Sequence, residues 1–275
     1  MKRFLAIILA GLILLSLAAC GGKDENVIKV GALEGSGIDN VLSEEHNAHS
    51  SKGNSGVSNR TIQIVNYSNL SSALMDLESG KIDSIGHDVC TAKYIAARNN
   101  KIAVVEQPDK IINYSMMTMD SNKEVYDILN NAIKDMKADG TLDSLIENEL
   151  KAYIENDPEP KDLPHFEGAQ TIKIGVTGDL PPMDFVAANG KAAGFNIALL
   201  TEIANRAKVN FELVQIDAGA RAMALSSGKI DAAFWTKYIT CDICNSAGAE
   251  KIDGNLITES YFSSTGSIIQ LKSEK

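Results

Sequence analysis

Short runs of alternating apolar and polar residues open both halves of the chain: Val27-Ile28-Lys29-Val30-Gly31 and Thr171-Ile172-Lys173-Ile174-Gly175. A period of two with β-branched residues marks a strand with one buried face. The pattern predicts strands over 27–33, 61–66 and 82–86 with a helix over 69–78 in the first half. In the second half it predicts strands over 171–177, 210–215 and 230–235 with helices over 194–208 and 218–226. The run Leu77-Glu78-Ser79-Gly80-Lys81-Ile82-Asp83 recurs as Leu225-Ser226-Ser227-Gly228-Lys229-Ile230-Asp231, so each half has a helix stopped by glycine and followed by a buried strand. A repeat of this length is too long for a stacked solenoid and points to two similar lobes. Strands alternating with helices give parallel sheets, hence an α/β class.

Between the halves, 122–153 carries the strongest helical period, with Val125, Ile128, Leu129, Ile133 and Met136 on one face and a break at Asp139-Gly140. The stretch 155–169 contains Pro158, Pro160 and Pro164 and reads as a linker, whereas 43–60 is a polar surface loop.

Composition sharpens this picture. With 275 residues, 44% hydrophobic and 23% charged, the chain can fold as two domains, and its 6 Pro and 21 Gly argue against a disordered polymer. A net charge of −10 argues against a sequence-independent grip on nucleic acid, which needs clustered positive charge, so nucleic acid is not expected as a partner. Lys2 and Arg3 precede an apolar run from Phe4 to Leu15, the layout of an export signal and too short for a spanning helix of about 20 residues. Leu17-Ala18-Ala19-Cys20 resembles the lipobox of bacterial lipoproteins, which implies a signal peptide over 1–19, a lipid on Cys20 and a tether over 20–26. The expected location is extracytoplasmic, anchored to the cell membrane.

Gly178-Asp179-Leu180-Pro181-Pro182-Met183-Asp184-Phe185, then Gly194-Phe195-Asn196-Ile197-Ala198-Leu199, 225–231 and Thr258-Glu259-Ser260-Tyr261-Phe262 resemble the first lobe of family 3 solute-binding proteins, the amino-acid receptors of ABC importers. Gly31 to Gly37, Leu77 to Asp88 and Asn113 to Leu150 resemble the second lobe and the returning helices of the same family. The resemblance implies an α/β, two-lobed, periplasmic-binding-protein-like (type II) fold with its lobes in permuted order. The second lobe spans 27–111, helices over 112–153 return to pack on the first lobe, the linker is 154–170 and the first lobe is 171–275. It further implies capture of an amino acid or related small polar solute by lobe closure, delivery to ABC permease subunits, no cofactor and no catalysis; a monomer is expected, the alternative being a dimer whose lobes pair between molecules.

The candidate site lies at the carboxy-terminal ends of strands, where ligands of open α/β sheets sit. Asp88 stands five residues after Asp83, where the resemblance places the carboxylate that holds a ligand's ammonium group; it also reads as a helix N-cap before Val89. Ser36 and Gly37 match the loop that receives a ligand carboxylate, and Trp235, Thr236 and Tyr238 match pocket-lining positions of the first lobe. The family's carboxylate-clamping Arg falls at Ile243, so Arg221 or Lys237 would have to substitute, with Arg221 also readable as a solvated helix residue. Cys241 and Cys244 form a lone Cys-x-x-Cys that reads as a local disulfide or as free thiols; zinc would need two further ligands, and no metal site is expected. A dehydratase-like enzyme or a ligand-sensing module on the same fold are the competing classes. The enzyme would need an acid/base pair in the cleft, for which Asp88 with His87 is a poor candidate.

Overall fold

The structure is a computed structural model that describes residues 26–38, 41, 61–156, 159–240 and 252–273, with the backbone alone for 235–238 and 240. Cys20, Cys241, Cys244, Ile243 and the polar loop over 43–60 lie outside the described residues.

The first repeat builds β1 (Val27–Leu33), β2 (Thr61–Tyr67), α1 (Leu70–Glu78), β3 (Ser84–Asp88) and α2 (Val89–Arg98). In β1 the alternation buries Ile28 and Val30 around exposed Lys29, and from Gly31 onward every residue is buried. The strand expected over 82–86 begins at Ser84, because Ile82 and Asp83 form the approach to it and the amide of Asp83 donates to the Lys29 carbonyl at 2.9 Å. A long strand, β4 (Ile102–Met119), then leads to α3 (Lys123–Ala138) and α4 (Thr141–Glu149), divided at Gly140, whose φ is 78°. The second repeat builds β5 (Thr171–Val176), the small hairpin sheet β6 (Asp179–Leu180), β7 (Asp184–Val186) and β8 (Ala192–Ala193), then α5 (Phe195–Ala207), β9 (Asn210–Gln215), α6 (Arg221–Ser226), β10 (Ala232–Thr240), β11 (Asn255–Ile257) and β12 (Phe262–Leu271).

The strands of the main sheet run in the order β2-β1-β3-β12-β4-β10-β5-β9, with β11 also on β4. At one end β2, β1 and β3 are parallel and meet an antiparallel β12; at the other β9, β5 and β10 are parallel and meet an antiparallel β4. The same arrangement therefore occurs twice, once in each lobe. The two lobes are joined by β4 and β12, which pair as 102–107 with 266–271 and as 111–114 with 262–265. Their register slips between Thr265 and Gly266, opposite the segment that holds Pro108, where a strand can bend without losing a ladder donor. The carboxy-terminal half of β12 lies against β3, so its residues complete the sheet of the 27–111 lobe although the preceding half belongs with the other.

The larger core packs α3, α4 and α5 on β5 through Leu129, Ile133, Met136, Leu142, Phe195, Leu199 and Ile203. The smaller core packs α1 and α2 on β1 and β3 through Leu70, Leu77, Ile82, Ile85 and Ile95. The proline-bearing linker is laid down on the larger lobe rather than left free. Leu163 and Phe166 pack on its core, and Asn210 accepts the Phe166 amide at 2.8 Å while donating to its carbonyl at 3.0 Å.

Candidate ligand-binding site

Asp184 is the anchor of the cleft wall in the larger lobe. Only 4% exposed, it accepts from the Thr177 amide at 3.0 Å, the Thr177 hydroxyl at 3.0 Å, the Gly178 amide at 2.9 Å and Asn196 Nδ2 at 2.9 Å. Asn196 Oδ1 in turn accepts from the Tyr261 hydroxyl at 3.4 Å. The loop is brought close to α5 by Gly194, whose φ of 111° and missing side chain let the backbone run beside Met183: a Cβ there would lie 2.4 Å from the Met183 carbonyl oxygen. The Phe195 and Asn196 amides then donate to the Pro182 and Met183 carbonyls at 3.0 and 2.8 Å.

Against this wall lies a pocket lined in part by Tyr114, Thr177, Asp184, Arg221, Phe234 and Tyr261. Tyr114 comes from β4, one of the two strands that pass between lobes, and its ring stacks on Phe262 from the other with centroids 5.8 Å apart.

The structure places Asp88 beneath the pocket rather than on it. It is 1% exposed and does not line the pocket. Its Oδ1 caps α2 by accepting from the Cys90 and Thr91 amides at 2.9 and 3.1 Å. Its Oδ2 accepts from the Tyr114 hydroxyl at 3.2 Å and lies 2.8 Å from His87 Nδ1. The carboxylate expected to hold an ammonium group thus already has the helix cap and two side chains as partners, and of these Tyr114 lines the pocket. Burial opposes ionisation of Asp88, but the hydrogen bond and charge of His87 and the amide of Thr91 outweigh it and hold its carboxyl below the ordinary range. Burial and the Asp88 charge push the Tyr114 phenol well above its usual value, which keeps it a donor.

The other candidates separate. Ser36 and Gly37 sit in the turn after β1, with Ser36 Oγ accepting the Ile38 amide at 3.3 Å and Gly37 at a φ of 78°; the pocket forms without them. Trp235, Thr236 and Tyr238 lie on β10 opposite Ser115, Tyr114 and Asn113, with a bulge between Thr236 and Tyr238. Their side chains and that of Lys237 are outside the described residues. Arg221 does line the pocket, and it is neither solvated nor a bare carboxylate fork. Its Nε donates to the Ala218 carbonyl at 3.0 Å, Nη1 to the Phe234 carbonyl at 3.1 Å and Nη2 to the Glu34 carbonyl at 3.4 Å, the last across the cleft. Asp184, Asn196 and Tyr261 were present in the motifs that carried the resemblance, but their joint role depends on a loop folding back onto α5, which spacing alone does not give. Among the described residues no group of His, Cys, Asp and Glu is arranged to hold a metal, and no helix is long and apolar enough to cross a membrane.

Residues 172–245 match the family of bacterial extracellular solute-binding proteins, family 3. The matched segment holds Thr177, Asp184, Asn196, Arg221 and Phe234, so most of the pocket wall lies within it. No curated protein matches the chain. Among solved structures, the ligand-binding component of an ABC-type import system from Staphylococcus aureus with zinc bound is similar at 11% identity and a TM-score of 0.47, covering 90% of this chain and 66% of that one. A putative L-cystine ABC transporter from Listeria monocytogenes is similar at 12% and 0.39, covering 91% and 84%. The reduced OxyR regulatory domain from Pseudomonas aeruginosa is similar at 9% and 0.41, covering 90% and 87%. This chain thus spans just under two thirds of the length of the Staphylococcus protein.

Proposed function

We propose that the chain is the extracytoplasmic solute-binding protein of an ABC importer, held at the membrane by lipid on Cys20, and that it captures an amino acid or related small polar solute by closing its two lobes. The observation that carries this reading is the pocket on Tyr114, whose strand joins the lobes, facing a wall of family 3 sequence. A solute seated there would touch a ring hydrogen-bonded to Asp88 of the smaller lobe and a guanidinium that reaches the Glu34 carbonyl across the cleft, so binding would favour the closed arrangement. The aromatic faces of Tyr114, Phe234 and Tyr261 suit an apolar or cationic part, and the Thr177 and Arg221 groups suit a polar one.

Strand order supports the permuted reading of the lobes. Val27 opens β1 and Leu271 closes β12, with β3 between them, parallel to β1 and antiparallel to β12. The start of β1 and the end of β12 therefore lie at the same end of their strands, on the order of 10 Å apart at two strand spacings. Joining them and opening the chain at the linker would give a receptor whose 171–271 segment comes first.

The test is differential scanning fluorimetry of the chain from Gly21 onward against amino acids, amines and small peptides. A true solute at a hundredfold excess over its Kd adds about 2.7 kcal/mol and raises the melting temperature. The solute should be recovered unchanged. Chemical conversion of it on incubation would sink the receptor reading in favour of an enzyme.

A further inference from the structure

Tyr114, Thr177 and Tyr261 line the pocket, and each of their hydroxyls has one proton to donate. All three protons are already engaged by the protein. Tyr114 donates to Asp88 Oδ2 at 3.2 Å and Thr177 to Asp184 Oδ1 at 3.0 Å, and because a carboxylate only accepts, the direction of both bonds is fixed. Tyr261 reaches Asn196 Oδ1 at 3.4 Å; Asn196 Nδ2 donates to Asp184 Oδ2 at 2.9 Å, so the amide oxygen is left to accept from the phenol. Burial first, then the charge of Asp88 on Tyr114 and of Asp184 on Tyr261, pushes both phenols well above their usual values and keeps them protonated. Whatever a solute meets at these three oxygens is therefore a lone pair, strengthened as an acceptor by the bond that the same hydroxyl donates. The groups that would receive an anion are committed as well. The Thr177 and Gly178 amides donate to Asp184 Oδ1 at 3.0 and 2.9 Å, and Arg221 donates from Nε, Nη1 and Nη2 to the carbonyls of Ala218, Phe234 and Glu34.

We propose that the solute is a small amine: its N–H groups are received by the hydroxyl oxygens of Tyr114, Thr177 and Tyr261, and a carboxylate on it adds nothing to recognition. This rests on the receptor reading and names its solute class. Asp88 and Asp184 act on the amine through the hydroxyls they hold, Asp184 reaching Tyr261 by way of Asn196. The aromatic faces of Tyr114, Phe234 and Tyr261 favour the same positive charge, and Val176, Leu180 and Met183 give its carbon chain an apolar wall.

Calorimetry on the protein used for fluorimetry tests this with three matched series: the amino acids, the amines left by removing their carboxyl group, and the acids left by removing their α-amino group. An amine should bind about as tightly as its parent amino acid or tighter, and the corresponding acid about a hundredfold more weakly. Trimethylation of the amine nitrogen keeps the charge but removes every N–H, and should weaken binding about tenfold or more. Tyr261→Phe keeps the ring and loses the oxygen, so it should narrow the gap between the amine and its trimethylated form; Thr177→Val should do the same and replaces it if Tyr261→Phe does not fold. A merely structural role would weaken both forms alike and leave the gap. An unchanged gap, an acid that binds as tightly as its amine, an amino acid that binds about tenfold tighter than its amine, or a trimethylated amine that binds equally well would each overturn the amine assignment and leave the receptor standing. Binding by no member of the three series would remove both.

Discussion

The carboxylate of Asp231 accepts the Lys173 amide at 2.8 Å, and the Asp231 amide returns a bond to the Lys173 carbonyl at 2.8 Å. Asp83 and Lys29 make the same reciprocal pair in the other lobe, at 2.8 and 2.9 Å. In both lobes the residue after the Gly-Lys-Ile turn thereby ties the start of one parallel strand to the start of its neighbour. Each carboxylate is partly exposed, so removing it should cost about 1 kcal/mol rather than the full penalty of a buried orphan. Urea unfolding of Asp83→Ala and Asp231→Ala should show losses of similar size. A loss in one variant alone would mean that the two pairs are not equivalent.

Gly194 gives a sharper expectation, because two independent costs fall on one substitution. Its φ of 111° disfavours any L side chain, and the Cβ of alanine would meet the Met183 carbonyl at 2.4 Å and the Pro182 carbonyl at 2.8 Å. Neither obstacle is a flexible side chain. Gly194→Ala should therefore destabilise the chain by roughly 2 to 4 kcal/mol, measured by thermal or denaturant unfolding. It should also loosen the Thr177–Asp184 wall and weaken solute binding. Unaltered stability would show that the loop does not run against α5 as described.

The Gly-Lys-Ile-Asp turns were legible because every part of them is local: a helix, a left-handed glycine at Gly80 or Gly228, and an aspartate one strand away. The β5 and β9 strands and the α3–α4 break were legible for the same reason, through periodicity and Gly140. What spacing could not give was β4 and β12. Their 18 and 10 residues are strands because each pairs with the other from a distant part of the chain, and the polar Gln107, Asp109 and Lys110 in β4 hide the alternation. Asp88 shows a related limit. Its sequence fits a ligand carboxylate and a helix cap, which are compatible, and gives no sign of the Tyr114 hydroxyl that β4 brings to it.

Asp139 provides a pH test of how the returning helices are fixed. In the turn between α3 and α4 its carboxyl is lowered to about 2, first by the Thr141 hydroxyl and then by Arg206 of α5, whose Nη1 lies 2.7 Å from Asp139 Oδ2. Its value in the folded chain is lower than in the unfolded one. Its contribution is therefore complete above the unfolded value near 3.8 and is lost as pH falls towards 2. Carbon-detected NMR titration should find Asp139 at about 2. Arg206→Ala should move it up towards the ordinary carboxylate range. An Asp139 that titrates normally in the wild type would contradict the bridge to α5.

Tyr114 links the buried carboxylate to the pocket, and replacing it with phenylalanine separates those two roles. The ring remains to stack on Phe262, so packing changes little. Asp88 Oδ2 keeps His87 but loses the phenol donor, and a hydrogen bond to a charged group is worth about 1.5 to 3 kcal/mol. Tyr114→Phe should reduce stability by an amount in that range and, because Tyr114 lines the pocket and loses the bond that fixes it, weaken binding of whichever solute the fluorimetry identifies. The wild-type phenol should also resist ionisation in an alkaline titration followed by ultraviolet difference spectroscopy, since burial and the Asp88 charge both oppose it. An unaltered stability in Tyr114→Phe would show that Asp88 is satisfied without it, and the pocket would then lose its connection to the α2 cap.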